Sequence, residues 1–308
     1  MSKLHLDGVA STAILTLRAR AEEHRRNDRL FGDPDADAWL NRLEWPASLS
    51  PWYGRYTQGF LSYRAYEIDQ IALDFLDQTP DNAAPQIVEL GVGLSTRTAR
   101  ILRAQDEEQT APPRRANNQG DRAPGRKLTF VDLDLPAIVD ARYQLGAYAH
   151  AVPYCAQIPL AQSVTDLAWI EHPALNPEAP ILFIAEGLFY YLPESDVHGI
   201  LDALRARFPN APLVFDVMGM LEFRGARRLS TRAGAPIQWM LPPPFESVFA
   251  RFRLEPLPGW PSSRLLERAL DLCWSRFGRT PAFLARTMAN IPSLREGRSG
   301  IVAARLCE

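Results

Sequence analysis

The chain has 308 residues, of which 46% are apolar and 23% charged, with a formal net charge of −2. That is the composition of a globular protein with material for a sizeable core, and it gives no reason to expect nucleic acid or an anionic membrane surface as a partner. Cys155, Cys273 and Cys307 are scattered and form no Cys-x-x-Cys pair, which argues against a disulfide framework and against a metal site. No apolar run reaches the ~18 residues of a membrane span. The opening stretch lacks a small-residue cleavage site after an apolar core, so the expected setting is cytoplasmic and reduced.

Ser11–Arg26 reads as a helix capped by Ser11 or Thr12, with Ala13, Ile14, Leu17 and Ala21 in one stripe. A short helix over Ala36–Leu43 and a longer one over Phe60–Leu76 follow, so residues 1–84 are expected to form a helical cap on the same domain. Residues 85–308 then alternate strand and helix, the pattern of a mostly parallel α/β sheet with helices on both faces.

The first strand begins at Gln86, and Pro85–Arg97 reads PQIVELGVGLSTR. Here a buried strand turns sharply into a helix through Gly91 and Gly93. Glycines permit a tight turn and a close approach by a ligand, and such a turn is where open α/β sheets bind nucleotides. The helix is expected at about 95–103, and Ala104–Lys127, rich in Pro, Gly, Asn and charge, as a long surface loop. Further strands are expected at Leu128–Leu133, Val152–Ala156, Ile181–Ala185 and Leu213–Val217. Pro136 opens one helix, and Glu194–Phe208 forms another. Residues 222–298 are expected to form a substrate-side insertion with a strand at Arg251–Leu257 and helices at Ser262–Phe277 and Pro281–Met288. Ile301–Leu306 is the last strand.

Polar residues cluster just past the strand ends: Gly91 and Gly93, then Asp132 and Asp134 in VDLDLP, then Glu186 in IAEGLFYYL. Parallel strands place such residues along one rim. A carboxylate after the second strand suits ribose hydroxyls. A nicotinamide-type turn wants Gly-x-Gly-x-x-Gly, and here the last position is Thr96. The observed Glu89-x-Gly91-x-Gly93 suits S-adenosylmethionine, which has a ribose and a cationic amino acid but no pyrophosphate.

Six segments, GVASTAILTLRARAEEHRRNDRLFGDPDA, RAYEIDQIALDFL, ELGVGLSTR, VDLDLP, SVTDLAWI and EGLFYYLPE, run in order through residues 8–194. In these the chain resembles the leucine carboxyl methyltransferase superfamily, in the bacterial branch that looks like the tetracenomycin polyketide O-methyltransferase. The resemblance implies a class I methyltransferase (Rossmann-like) fold, a seven-stranded sheet, and S-adenosyl-L-methionine as methyl donor. It implies that Arg64 holds the donor's carboxylate, that Gly91 lies against its methionine part, and that Asp134 binds the ribose. It further implies that Asp166 and Leu167 contact adenine and that Glu186 meets the amino end. Where the family often has Glu, this chain has Asp132.

Bland readings stand beside these. Arg64 can be a surface arginine, Asp134 or Asp166 a helix cap, Glu186 half of an ion pair, and Asp132 a strand-end charge in water. Phe189, Tyr190 and Tyr191 can be packing, with Tyr190 also a candidate for substrate contact. Tyr53, Arg55 and Tyr56 are further substrate candidates, whereas His198 is expected to be a solvated histidine rather than a base. The expected function is O-methylation of a carboxylate or hydroxyl on a small, polyketide-like acceptor, with no nucleic-acid or membrane partner. Its rivals are methyl esterification of a protein C-terminus, a donor-binding module without catalysis, and a nicotinamide-dependent oxidoreductase.

Overall fold

A computed structural model describes residues 3–6, 8–110, 127–149, 152–220, 223, 226–227, 230–231, 234–260, 265–277 and 299–307. Three helices come first: α1 (Gly8–His24), α2 (Pro34–Leu40) and α3 (Arg55–Gln78). Asp33 caps α2, its carboxylate accepting the Ala36 amide at 3.0 Å, and Pro34 sits in the first turn, where a missing N–H costs nothing. These helices share a core of their own, with Ile14, Leu17, Trp39 and Leu49 buried.

The sheet has seven strands in the order β3-β2-β1-β4-β5-β7-β6. They are β1 (Gln86–Leu90), β2 (Leu128–Asp134), β3 (Cys155–Ala161), β4 (Ile181–Ala185), β5 (Pro212–Val217), β6 (Leu254–Pro256) and β7 (Gly300–Leu306). β1 to β5 are parallel and β7 runs antiparallel between β5 and β6. The fold is thus the expected mostly parallel α/β sheet. The connecting helices are α4 (Arg97–Thr110), α5 (Pro136–Leu145), α6 (Glu194–Arg207), α7 (Ser247–Phe252) and α8 (Leu265–Phe277).

Strand side chains alternate between two cores. Val88, Phe183, Ala185 and Phe215 join the layer under α6, while Ile87, Leu182, Ile184 and Val214 join the layer under α3. Chain order reverses between β1 and β4, and a sheet of this kind opens its ligand crevice at the carboxyl ends of the strands at that point.

Some boundaries differ from the sequence reading. The helix expected at 95–103 continues to Thr110, into the segment read as loop; residues 111–126 lie outside the described residues. The third strand is Cys155–Ala161 rather than Val152–Ala156, because hydrogen-bonded register with β2, from Leu128 opposite Cys155 to Asp134 opposite Ala161, overrides the short apolar run. The stretch Arg251–Leu257 ends helix α7 before its strand begins, with Arg253 in the left-handed region (φ 51°) between them. The helix expected at Pro281–Met288 lies outside the described residues. Among the described residues no helix is long and apolar enough to cross a membrane, and no cluster of His, Cys, Asp and Glu can hold a metal.

Candidate functional site

A cavity of about 640 Å3 opens at the strand rim. Its floor is the carboxyl edge of the sheet, with Glu89, Gly91, Gly93, Asp134 and Glu186. The opposite walls come from outside the sheet: Ala13, Thr16 and Arg20 of α1; Tyr56, Phe60 and Arg64 of α3; and Leu270 and Cys273 of α8.

The strands explain the electrostatics of this rim. Glu89, Asp132 and Asp216 are acids inside largely apolar strands, and strand periodicity puts all three on the face covered by α3, α4 and α5. Each is answered by an arginine from that layer. Arg97 of α4 donates to Glu89, Arg142 of α5 to Asp132 at 2.6 Å, and Arg64 of α3 to Asp216 at 2.9 Å. Buried charges survive only when paired in this way. Asp132, expected in water, is completely buried and also accepts Gln157 Nε2 at 2.7 Å.

Arg97 and Arg64 converge on Glu186. Arg64 Nε donates to one carboxylate oxygen at 3.0 Å, and Arg97 Nη2 donates to the other. Burial alone would raise the Glu186 pKa, but Arg64, Arg97 and then Arg20 pull it down from its ordinary 4.5 to about 2. It is therefore a fixed negative charge on the cavity wall. Arg97 reaches Asp69 at 2.8 Å, Arg100 reaches Asp69 and Asp33, and Thr96 donates to Asp33 at 2.6 Å, so this network extends into the helical cap. Arg20 completes it, donating to the Leu94 carbonyl at 2.6 Å; burial and the nearby Arg100 lower its pKa to about 10.

Asp134 sits at the lip of the turn. It accepts the Gly93 amide and the Leu135 amide, each at 2.7 Å, and the residue capping α5 is Leu135, without a side-chain bond. Asp134 thus ties the glycine turn to β2 rather than capping the helix. Desolvation raises its pKa, opposed by those two amides. Gly91 takes φ +65°, which favours glycine, and a methyl group there would lie 2.8 Å from Leu188 Cδ1, so that side chain would have to move.

Of the residues singled out in the sequence, Arg64, Glu89, Gly91, Gly93, Asp134, Glu186, Tyr56 and Tyr190 line the cavity. Asp166 and Leu167 do not. Asp166 accepts the Ala168 amide and Gln162 Nε2 at the start of a 3-10 turn, beside the cavity residues Ser163 and Val164. Tyr53 donates to Glu22 at 2.9 Å and packs its ring on Trp45 and Arg18, and Arg55 begins α3; neither lines the cavity. His198 is half exposed on α6, 3.7 Å from Glu194. Reasoning from sequence missed Arg20, Arg97 and Asp216. The signal for Asp216 was an acid inside the apolar run LVFDV, the same mark that Glu89 carries in QIVEL.

The chain is 26% identical to the tetracenomycin polyketide synthesis O-methyltransferase TcmP of Streptomyces glaucescens over 77% of its own length and 76% of that protein. It is 25% identical, over 96% of its length and 95% of the relative, to a Streptomyces coelicolor protein provisionally named as an S-adenosyl-L-methionine-dependent methyltransferase. The chain resembles the TcmP-like bacterial methyltransferases. No family model matches it. A solved DUF574 family protein from Streptomyces avermitilis shares its fold with a TM-score of 0.53 at 13% identity, over 94% of this chain and 96% of that one. A provisionally assigned methyltransferase from Thermobifida fusca does so at 0.54 and 15%, over 98% and 96%. At those identities the two structures establish the fold, a class I methyltransferase sheet, and nothing finer.

Proposed function

We infer that this chain is an S-adenosylmethionine-dependent methyltransferase that transfers its methyl group to an oxygen, carboxylate or hydroxyl, of a small organic acceptor. The observation that carries this is one cavity joining an acid-lined strand rim to a largely apolar wall. The rim fits the donor: Asp134 offers a carboxylate to the ribose hydroxyls, and Gly91 and Gly93 leave room for the chain beyond it. Ionised Glu186 faces the cationic amino end, while Arg20 and Arg64 supply positive charge for the donor's carboxylate.

The bound donor supplies a methyl group already activated on a sulfonium. The protein's part is placement. A cavity of about 640 Å3 lies within the ~300–1,000 Å3 range of small-molecule sites, which supports a small acceptor over a protein tail. Phe60, Leu188, Tyr191, Met218, Ile237 and Leu270 give that acceptor an apolar bed. Orientation of this kind lowers barriers by up to roughly 7–11 kcal/mol. An acceptor carboxylate is ionised at neutral pH and needs no base. The described cavity residues include no histidine, which fits such an acceptor or an already acidic hydroxyl.

Calorimetry with S-adenosylmethionine, followed by product analysis against a panel of aromatic acids, phenols and C-terminal peptides, tests this reading. Saturable donor binding with methylation of a small acid or phenol is expected. Methylation of the peptides alone, or donor binding without turnover on anything, overturns the acceptor assignment.

A further inference from the structure

We propose that Asp216 is a positioning residue for the donor's amino end, acting through Arg64 and the Gly187 backbone on Glu186; this rests on the methyltransferase reading above. Asp216 is the penultimate residue of β5, near the same rim, and is 3% exposed. Both of its oxygens are spoken for. Oδ1 accepts the Gly187 amide at 2.6 Å and Oδ2 accepts Arg64 Nη1 at 2.9 Å. Arg64 Nε in turn donates to Glu186 at 3.0 Å, and Glu186 is the residue before Gly187. The contacts therefore close a ring: Asp216 grips residue 187 by its backbone and, through Arg64, residue 186 by its side chain.

The ring does two things. It pins a turn that only a residue tolerant of φ +67° adopts, with Arg64 Nη2 packed 3.3 Å from where a Gly187 side chain would begin. It also sets the charge at the wall. Glu186 is bonded by both Arg64 and Arg97, but these two and the linked Arg20 and Arg100 carry four positive charges against five carboxylates, Asp33, Asp69, Glu89, Glu186 and Asp216, so the network keeps negative potential at the wall for an ammonium. Tyr190, whose hydroxyl accepts Arg64 Nη1 at 3.3 Å, holds the guanidinium from the cavity side.

Asp216→Asn separates the two effects. Its side-chain oxygen still accepts the Gly187 amide, while Arg64 is left to Glu186 alone. Calorimetry with two ligands reads the result: S-adenosylmethionine, and 5′-methylthioadenosine, which keeps adenine, ribose and sulfur but has no amino acid. The variant is expected to raise the S-adenosylmethionine Kd about tenfold or more, and the methylthioadenosine Kd by less than about twofold. In a Glu186→Gln background the further loss from Asp216→Asn is expected to shrink to within about twofold, because both act on one contact. Unchanged binding of both ligands overturns the proposal, and so does a parallel loss of both, which a merely structural role would produce. If the unaltered protein binds neither ligand, it is the donor reading itself that falls.

Discussion

Two residues on the glycine turn carry separable predictions. Gly91→Ala puts a side chain into a left-handed backbone and against Leu188, a strain of about 1–3 kcal/mol that falls on the turn itself. Its melting temperature and its donor Kd should both worsen, measured by thermal unfolding and calorimetry. Asp134→Ala should instead weaken the donor roughly ten- to hundredfold, the worth of one charged acceptor. Asp134 also makes a pH signature. Burial raises its pKa above the ordinary 3.8, so the carboxylate is lost before an exposed aspartate would be. A carboxyl group whose pKa rises on folding opposes folding when ionised, so mild acid relieves that cost while it removes the ribose acceptor. Glu186 has the opposite sign: its contribution is complete above 4.5 and is lost as pH falls toward about 2. Donor affinity should therefore decline on acidification before stability does, and Asp134→Asn should bind weakly with a flat profile over that window. A pH series of donor titrations beside melting curves checks this; affinity and stability falling together would assign the effect to unfolding.

At the scale of elements, β1, β2, β4, β5 and β7 were legible, whereas β3, β6 and the pairing between layers were not. QIVEL, the run at Ile181–Ala185 and the glycine turn showed where the rim lies, because buried parallel strands are near-continuous apolar runs. Which arginine meets which acid was invisible: Arg64 lies 152 positions before Asp216, and Arg97 lies 89 before Glu186. Asp132 was read as a charge in water for this reason; its partner Arg142 is on the next helix, one more arginine in a sequence rich in them. Arg97 is where the layers depend on one another most. It is completely buried and bonds Asp69 of α3, Glu89 of β1 and Glu186 after β4. Arg97→Met leaves three buried carboxylates short of a cation, and breaking a buried pair from one side costs about 3–5 kcal/mol. Arg97→Lys should recover little of this, since one ammonium cannot span the directions that a planar fork reaches. Denaturant unfolding of both variants checks the prediction. A Lys variant close to the parent would mean that charge alone suffices.

Across the whole molecule, the cavity is shared property, since the cap and the sheet each supply only part of its wall. α8 carries Leu270 and Cys273 to the cavity, and its Arg276 forms a buried two-pronged pair with Glu23 of α1 at 2.7 and 2.8 Å. Cys273 packs so tightly on α3 that a side chain at Gly59 would begin 2.5 Å from its sulfur. None of this had a signature in the sequence, because helix-to-helix contacts between residues 23, 59, 273 and 276 obey no local period. Glu23→Gln keeps the shape of the side chain and its acceptor for Gln58 or the Leu30 amide, but leaves Arg276 only the half-exposed Asp28, 3.3 Å from its Nε, as a charged partner. The wall that loosens is α8, with Leu270 and Cys273 facing the proposed acceptor, whereas the strand rim keeps its contacts and Arg20 and Arg64 keep their own bonds to Leu94 and Glu186. The variant should therefore lose stability by about 3–5 kcal/mol at most, and its acceptor KM should rise, while the donor Kd measured below the melting transition stays within about twofold of the parent. Steady-state kinetics with an accepted phenol or acid, run beside donor calorimetry, separates the two. An equal loss of both ligands would mean that the cap holds the sheet rim itself, and that the cavity does not divide into a donor side and an acceptor side.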